Sequence, residues 1–212
     1  MTAGASDLAD AISHSVDTGL FKRADQIKGV LDDVTLVVEG VSDIDADKLV
    51  EMLRDVTGKW RSTQGAPLSR GIWYQFTSTA ELIRRGDIDP SKALLDYKFV
   101  RSDDPSKWSA QLDIYLPDAN KVIDPKSYSN GLPAVPADLN GGRSKALQSL
   151  LDQVIRHLVH TDADSYDWVS PNGVAGGDIE GFLEYVTKYV KLVLNRDVSF
   201  DVISDIPDKL LD

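Results

Sequence analysis

The sequence predicts an α+β, helix-dominated fold, with amphipathic helices packed around a small, mainly antiparallel sheet. Three observations predict it. Two stretches in the last third repeat apolar residues at helical spacing over several turns. Clean alternation of apolar and polar residues is confined to a few short runs. Those runs are too few and too irregularly spaced for a doubly wound parallel sheet. A chain of 212 residues is long enough to bury one core, so a single globular domain over 1–212 is expected, with two small domains as the other open division.

Taken in order, Leu8, Ile12 and Val16, then Ile27, Val30 and Leu31, recur near the 3.6-residue period and break around Gly19, which predicts two short helices. Val34 to Val38 is a short β-branched run. Leu49, Val50, Leu53 and Val56 mark one face of a helix ending near Gly58. Residues 58–71 hold three glycines and a proline with little periodicity and read as a loop. Ile72, Tyr74 and Phe76 alternate with Trp73 and Gln75, predicting a strand, and Ser78 or Thr79 then caps a short helix that ends in Arg84 and Arg85.

Residues 89–100 read two ways. Asp89-Pro90 suits a helix start, whereas Leu95, Tyr97 and Phe99 at period two suit a strand. Gln111 to Leu116 alternates as a strand. Residues 117–142, rich in proline and glycine, read as a long irregular connection, and 161–177 as another. Between and after them lie the two clearest helices, about Arg143 to His160 and about Asp178 to Asn195. Val198 to Val202 reads as a terminal strand.

Composition narrows the function classes. The chain carries 34 acidic and 23 basic side chains, a formal charge of −11, and no cysteine. Thiol catalysis, zinc-thiolate sites and disulfides are therefore excluded. The charge argues against a generally basic nucleic-acid-binding domain. Of the acids, 29 are Asp and 5 are Glu, and Asp favours caps and turns, so much of the acidity marks helix starts and loops. The N-terminal stretch lacks a signal-peptide pattern and no apolar run reaches membrane-spanning length. A soluble, intracellular protein or part of a soluble assembly is expected.

Two candidate sites stand out. From Arg54 to Lys107 there are ten basic against seven acidic residues, with aromatics interleaved. Lys59, Trp60, Arg61, Arg70, Trp73, Arg84, Arg85 and Arg101 are the candidates for a local polyanion-binding groove, the cations holding phosphates and the rings stacking on bases. Further along, His157, His160, Asp162, Asp164 and Asp167 hold metal-compatible side chains but fit neither a calcium-loop nor an H-E-x-x-H pattern. They read as histidines complementing a helix C-terminus before an Asp-rich turn, and no metal site is assigned to them.

The other candidate site runs through Gly86-Asp87-Ile88-Asp89, Leu94-Leu95-Asp96-Tyr97-Lys98 and Gln111-Leu112-Asp113-Ile114-Tyr115. In order, these pieces resemble the motifs of the RecB-type branch of the PD-(D/E)xK nucleases. The resemblance implies a magnesium-dependent nuclease. Asp89 and Asp96 would be its carboxylates, Lys98 the lysine that positions or deprotonates water, Gln111 and Tyr115 the motif that follows, and Glu81 an upstream carboxylate. Two close carboxylates create a divalent-cation site, and a neighbouring cation stabilises charge developing on phosphorus.

The leading expectation is a non-enzymatic interaction or self-assembly protein, such as a structural shell or nucleocapsid-like subunit. It would form homo-oligomers or bind a protein partner, with RNA or single-stranded nucleic acid in the groove, no cofactor and no membrane. The alternative is the nuclease, with Mg2+ as its cofactor.

Overall fold

The computed structural model describes residues 3–17, 19–59, 65–101 and 104–210. The chain divides into two compact units, one helical and one built on a sheet. The helical unit runs up to Ala93 and takes in the segment from Pro207 on, while Leu94–Ile206 forms the sheet unit. The fold is α+β and helix-rich, as the sequence predicts.

In the helical unit, α1 (Ala3–Asp17), α2 (Ala24–Gly40), α3 (Ala46–Lys59) and α4 (Gly65–Arg85) follow one another. Helix α1 packs on α3, and α4 packs on both α2 and α3. The expected break around Gly19 is present, and Gly19 takes φ of 74° there. The β-branched run Val34 to Val38 lies inside α2. Two expectations are corrected: the 72–76 strand lies inside α4, and so does part of the loop expected at 58–71.

The reason is burial on every side of α4. Trp73 through Ala80 are all buried, so no polar face exists to reveal the helical period. The polar side chains of this stretch are satisfied within the helix: Thr77 and Ser78 hydroxyls donate to the Tyr74 carbonyl at 3.2 and 2.6 Å, and Thr79 donates to Gln75 at 2.6 Å. Trp73 donates its indole N–H to Ser15 Oγ at 3.0 Å.

The segment from Pro207 is pinned into this unit by charge. Asp208, its side chain fully buried, meets Arg70 at 2.9 Å. Asp33, also fully buried, is held by Arg84 and Lys209, each at 2.6 Å. Gln26 adds a bond from its amide to the Lys209 carbonyl at 3.2 Å.

The two readings of 89–100 are realised one after the other. Asp89 caps a single 3-10 turn, Pro90–Lys92, by accepting from the Ser91 N–H at 3.1 Å. A strand follows. The sheet unit comprises β1 (Leu94–Arg101), β2 (Asp104–Leu116), β3 (Lys121–Pro125), α5 (Lys145–His160), β4 (Ser165–Val169), α6 (Ile179–Leu194) and β5 (Ser199–Ile203). The five strands lie in sequence order.

The sheet is mixed, where the sequence predicts a mainly antiparallel one. β1, β2 and β3 form an antiparallel meander, and β3, β4 and β5 run parallel, joined by α5 and α6. Strands β3 and β4 fall within the stretches expected to be irregular. Both are short and buried over their last four residues, so neither shows alternation.

Helices α5 and α6 lie where the sequence predicts them. Ser144 accepts from the Leu147 N–H at 3.1 Å and Asp178 from the Gly181 N–H at 2.9 Å, so both starts are capped. Their apolar stripes, including Leu147, Leu151, Val154, Leu158, Phe182 and Val186, share one core with Val122, Tyr166 and Trp168 of the sheet. Arg196 closes the end of α5 by donating to the carbonyls of Leu158, Thr161 and Ala163.

Candidate active site

The antiparallel meander gathers the acidic residues of the sheet unit. The β2–β3 register pairs Ile114 with Ile123, so one step further along it sets Asp113 across from Asp124. The β1–β2 register places Asp96 between the pairs Leu95–Ile114 and Tyr97–Leu112, hence across from Asp113. Three neighbouring strands thus each bring an aspartate to one row. Asp96 takes φ of 48°, a left-handed conformation uncommon for a non-glycine residue and costly inside a strand. The Gln111 amide donates to its carboxylate.

Lys126 follows directly after β3. Its N–H donates to the Val169 carbonyl at 2.8 Å, which prolongs the β3–β4 pairing. Its ammonium lies 2.6 Å from Asp124 Oδ1 and 3.6 Å from Asp113 Oδ2. Asp124 is wholly buried, whereas Asp113 keeps 27% of its side-chain exposure and Lys126 keeps 14%. The row therefore opens to solvent on the Asp113 side and is closed behind Asp124.

Behind Asp124 stands a buried hydrogen-bond chain. The Tyr166 hydroxyl donates to Asp124 Oδ2 at 2.9 Å, and His157 Nδ1 lies 2.9 Å from the same hydroxyl. The Tyr166 hydroxyl therefore bridges Asp124 and the His157 ring, and the Gln111 backbone also bonds to that ring. The chain thus ties α5 to β4 and β4 to the carboxylate.

The electrostatics follow from burial and from two acids sharing one cation. Burial first, then Asp124 and Asp96, push the Asp113 carboxyl well above the usual carboxylate range against the pull of Lys126. Asp124 goes the other way: burial would raise it, but Lys126 and the hydrogen bond with Asp113 outweigh burial and hold it low. For Lys126 burial works against the charge, and the two carboxylates more than offset it, so its pKa is raised and the ammonium stays charged. Burial pushes Tyr166 well up, with Asp124 adding to the effect. Burial also pushes His157 down to about 4, so its imidazole is neutral near pH 7.

The structure distributes the residues named from sequence over both units. Asp96, Lys98, Gln111 and Tyr115 lie on β1 and β2 of the sheet unit. Asp89 belongs to the helical unit, where it caps a turn. Glu81 pairs with Arg85 at 3.2 Å on α4. Asp124-x-Lys126 is a second Asp-x-Lys pair, its lysine bound to the acidic row that also takes in Asp96, and Gln111 to Tyr115 is strand. The signal for it is Val122-Ile123-Asp124-Pro125-Lys126, a β-branched run leading into D-x-K.

The cations of the expected groove are engaged where they are described. Arg70 binds Asp208, Arg84 binds Asp33, and Arg85 binds Glu81. Trp73 is 0% exposed, so it is a core residue and offers no face for stacking. Trp60 and Arg61 lie outside the described residues, as do the side chains of Lys59 and Arg101.

Among the described residues no group of three or more His, Asp or Glu is placed to hold a metal ion on its own. No helix among them is long and apolar enough to cross a membrane. No protein-family model matches the chain, and no curated protein or solved structure does so either.

Proposed function

We propose that this protein is a divalent-metal-dependent phosphodiesterase that hydrolyses nucleic acid, a nuclease of PD-(D/E)xK type with Asp113, Asp124 and Lys126 at its centre. One observation carries the reading. A carboxylate on β2 and the first residue of an Asp-x-Lys pair on β3 stand across from each other, with the lysine ammonium 2.6 Å from one and 3.6 Å from the other.

The donor set fits magnesium. Mg2+ is commonly held by one or two carboxylates, its other positions being filled by water and by phosphate oxygens. Asp113 and Asp124 supply two carboxylates that share a single cation, and they would hold the ion. When bound, it would supply Lewis-acid polarisation of the phosphate and a more acidic water.

The chain's own residues do the rest. Hydrolysis joins a water oxygen to phosphorus and breaks a P–O bond, while the water loses a proton and the departing oxygen gains one. Lys126 is already charged and cannot take that proton. Its part is to orient the water and to stabilise negative charge on the phosphoryl oxygens. Tyr166 holds Asp124 by its second oxygen, Oδ2, and His157 holds Tyr166, which fixes the carboxylate against rotation.

The test is cleavage of end-labelled single-stranded and duplex oligonucleotides with Mg2+ or Mn2+, and with chelator. Metal-dependent cleavage is expected, falling at least about 100-fold in Asp124→Asn and in Lys126→Met, with circular dichroism confirming that the variants fold. Intact nucleic acid under every metal condition, or an Asp124→Asn variant as fast as wild type, would overturn the reading.

A further inference from the structure

We propose that Tyr128 is the substrate platform of this site, stacking on a nucleobase beside the scissile phosphate, and that the substrate is single-stranded. The proposal rests on the phosphodiesterase reading for its chemistry, but the contact itself is measurable without cleavage.

Tyr128 lies two residues beyond Lys126 and is 41% exposed, one of few large apolar side chains left open among the described residues. Two residues of chain keep its backbone within about 7 Å of that of Lys126, and its hydroxyl, whose pKa is raised first by burial, also feels Lys126, Asp124 and Asp113. The backbone that carries it is fixed. Asn172 donates its side-chain amide to the carbonyls of Tyr128 and Ser129 at 3.2 and 3.1 Å. Gly131 N–H donates back to the Tyr128 carbonyl at 3.2 Å, and Leu132 N–H to Gly173 at 2.7 Å. Gly131 has φ of 79°, and a Cβ there would meet the Asn172 carbonyl at 2.6 Å, so the two loops approach as closely as glycine allows.

A rigid backbone presenting an open aromatic ring loses little entropy on contact, because only two side-chain angles have to settle. Charge selects the kind of nucleic acid. Leu94–Ile206 carries eleven basic and seventeen acidic residues, so neutralising the dense phosphates of a duplex gives this unit little affinity. Stacking does not depend on that balance. Every base has an aromatic face, but a base inside a duplex is already stacked, so a tyrosine platform favours single strands or unpaired ends.

The test uses the full chain with two variants and two readouts. Binding is followed by fluorescence anisotropy of a labelled oligothymidylate in low salt without metal, and cleavage by the assay above. Tyr128→Ala should weaken binding and kcat/KM by roughly 5- to 150-fold, as loss of one base–aromatic stack implies, through KM more than kcat. Tyr128→Phe keeps the ring and should stay within a few-fold of wild type. An oligonucleotide with abasic positions around the cleaved bond should lose as much with wild type, and Tyr128→Ala should cost nothing further on it.

If Tyr128→Ala binds and cuts as wild type does, or Tyr128→Phe is as damaged as Tyr128→Ala, or duplex is cut as well as single strand, the inference is overturned while the nuclease reading stands. Tyr128-dependent binding without any cleavage would sink the nuclease reading and keep the platform. Neither binding nor cleavage would sink both.

Discussion

His157 makes stability depend on pH in a way that can be calculated. Its imidazole is buried, burial lowers its pKa to about 4, and Asp124 opposes that shift while Lys126 and Arg156 add to it. In the unfolded chain the same group titrates near 6.5. Between these values the unfolded state binds the extra proton, so stability rises with pH across that window. The contribution is complete above about pH 6.5 and is lost as pH falls toward 4. A difference of about two and a half units at about 1.4 kcal/mol each sets a ceiling of about 3.4 kcal/mol, of which about 2 kcal/mol disappears between pH 7.5 and 5.0.

The assay is urea unfolding at those two pH values for wild type and His157→Gln, followed by tryptophan fluorescence. Trp168 reports on this region, with its ring 5.0 Å from that of Tyr166. The variant is less stable at pH 7.5 because Tyr166 loses a partner, but its further loss on going to pH 5.0 should be smaller than that of wild type by about 2 kcal/mol. Equal losses in the two proteins would refute the claim that a neutral His157 is built into the folded state.

Two further outcomes test the frame. Asp33→Ala removes a wholly buried carboxylate from Arg84 and Lys209. Both cations are more than a third exposed and can rehydrate, so the loss should sit near the low end for a broken buried pair, roughly 3 kcal/mol; a thermal or urea midpoint unchanged from wild type would show that the pin is idle. Gly131→Ala forces a side chain into a left-handed position 2.6 Å from a carbonyl and should cost at least about 2 kcal/mol. Gly176→Ala, at φ of 86° with nothing within 4 Å, serves as its control and should cost only about 1 kcal/mol.

What the sequence made legible depended on how each element is buried. Helices α5 and α6 bury one face each, so Leu147, Leu151, Val154 and Leu158, and likewise Phe182, Val186 and Val190, repeat visibly against polar neighbours. Helix α4 buries every face around Trp73 to Ala80, and its accidental alternation at Ile72 to Phe76 reads as strand. Strands β3 and β4 are five residues each and buried without alternation.

The same masking hid the site. Asp124-Pro125-Lys126 ends a buried strand but is surrounded in sequence by prolines and glycines that suggest a loop. The pieces around Asp96, Lys98 and Gln111 stand out in the sequence because they alternate, and they lie on β1 and β2, which carry two of the row's three aspartates. His157 reads as a helix-end histidine, and only its meeting with Tyr166, nine residues on, gives it a different part.

The route of the chain sets an order of events during synthesis. A ribosome delivers Asp33, Arg70 and Arg84 early, then all of Leu94–Ile206, and only afterwards Asp208 and Lys209. Until that late segment emerges, the helical unit carries sites cut for two charges that do not yet exist, whereas the sheet unit already has every strand it needs. The helical unit, encoded first, is therefore closed only by residues encoded after the whole sheet unit. A fragment stopped after Ala93 would leave the helical unit permanently short of the residues that close it.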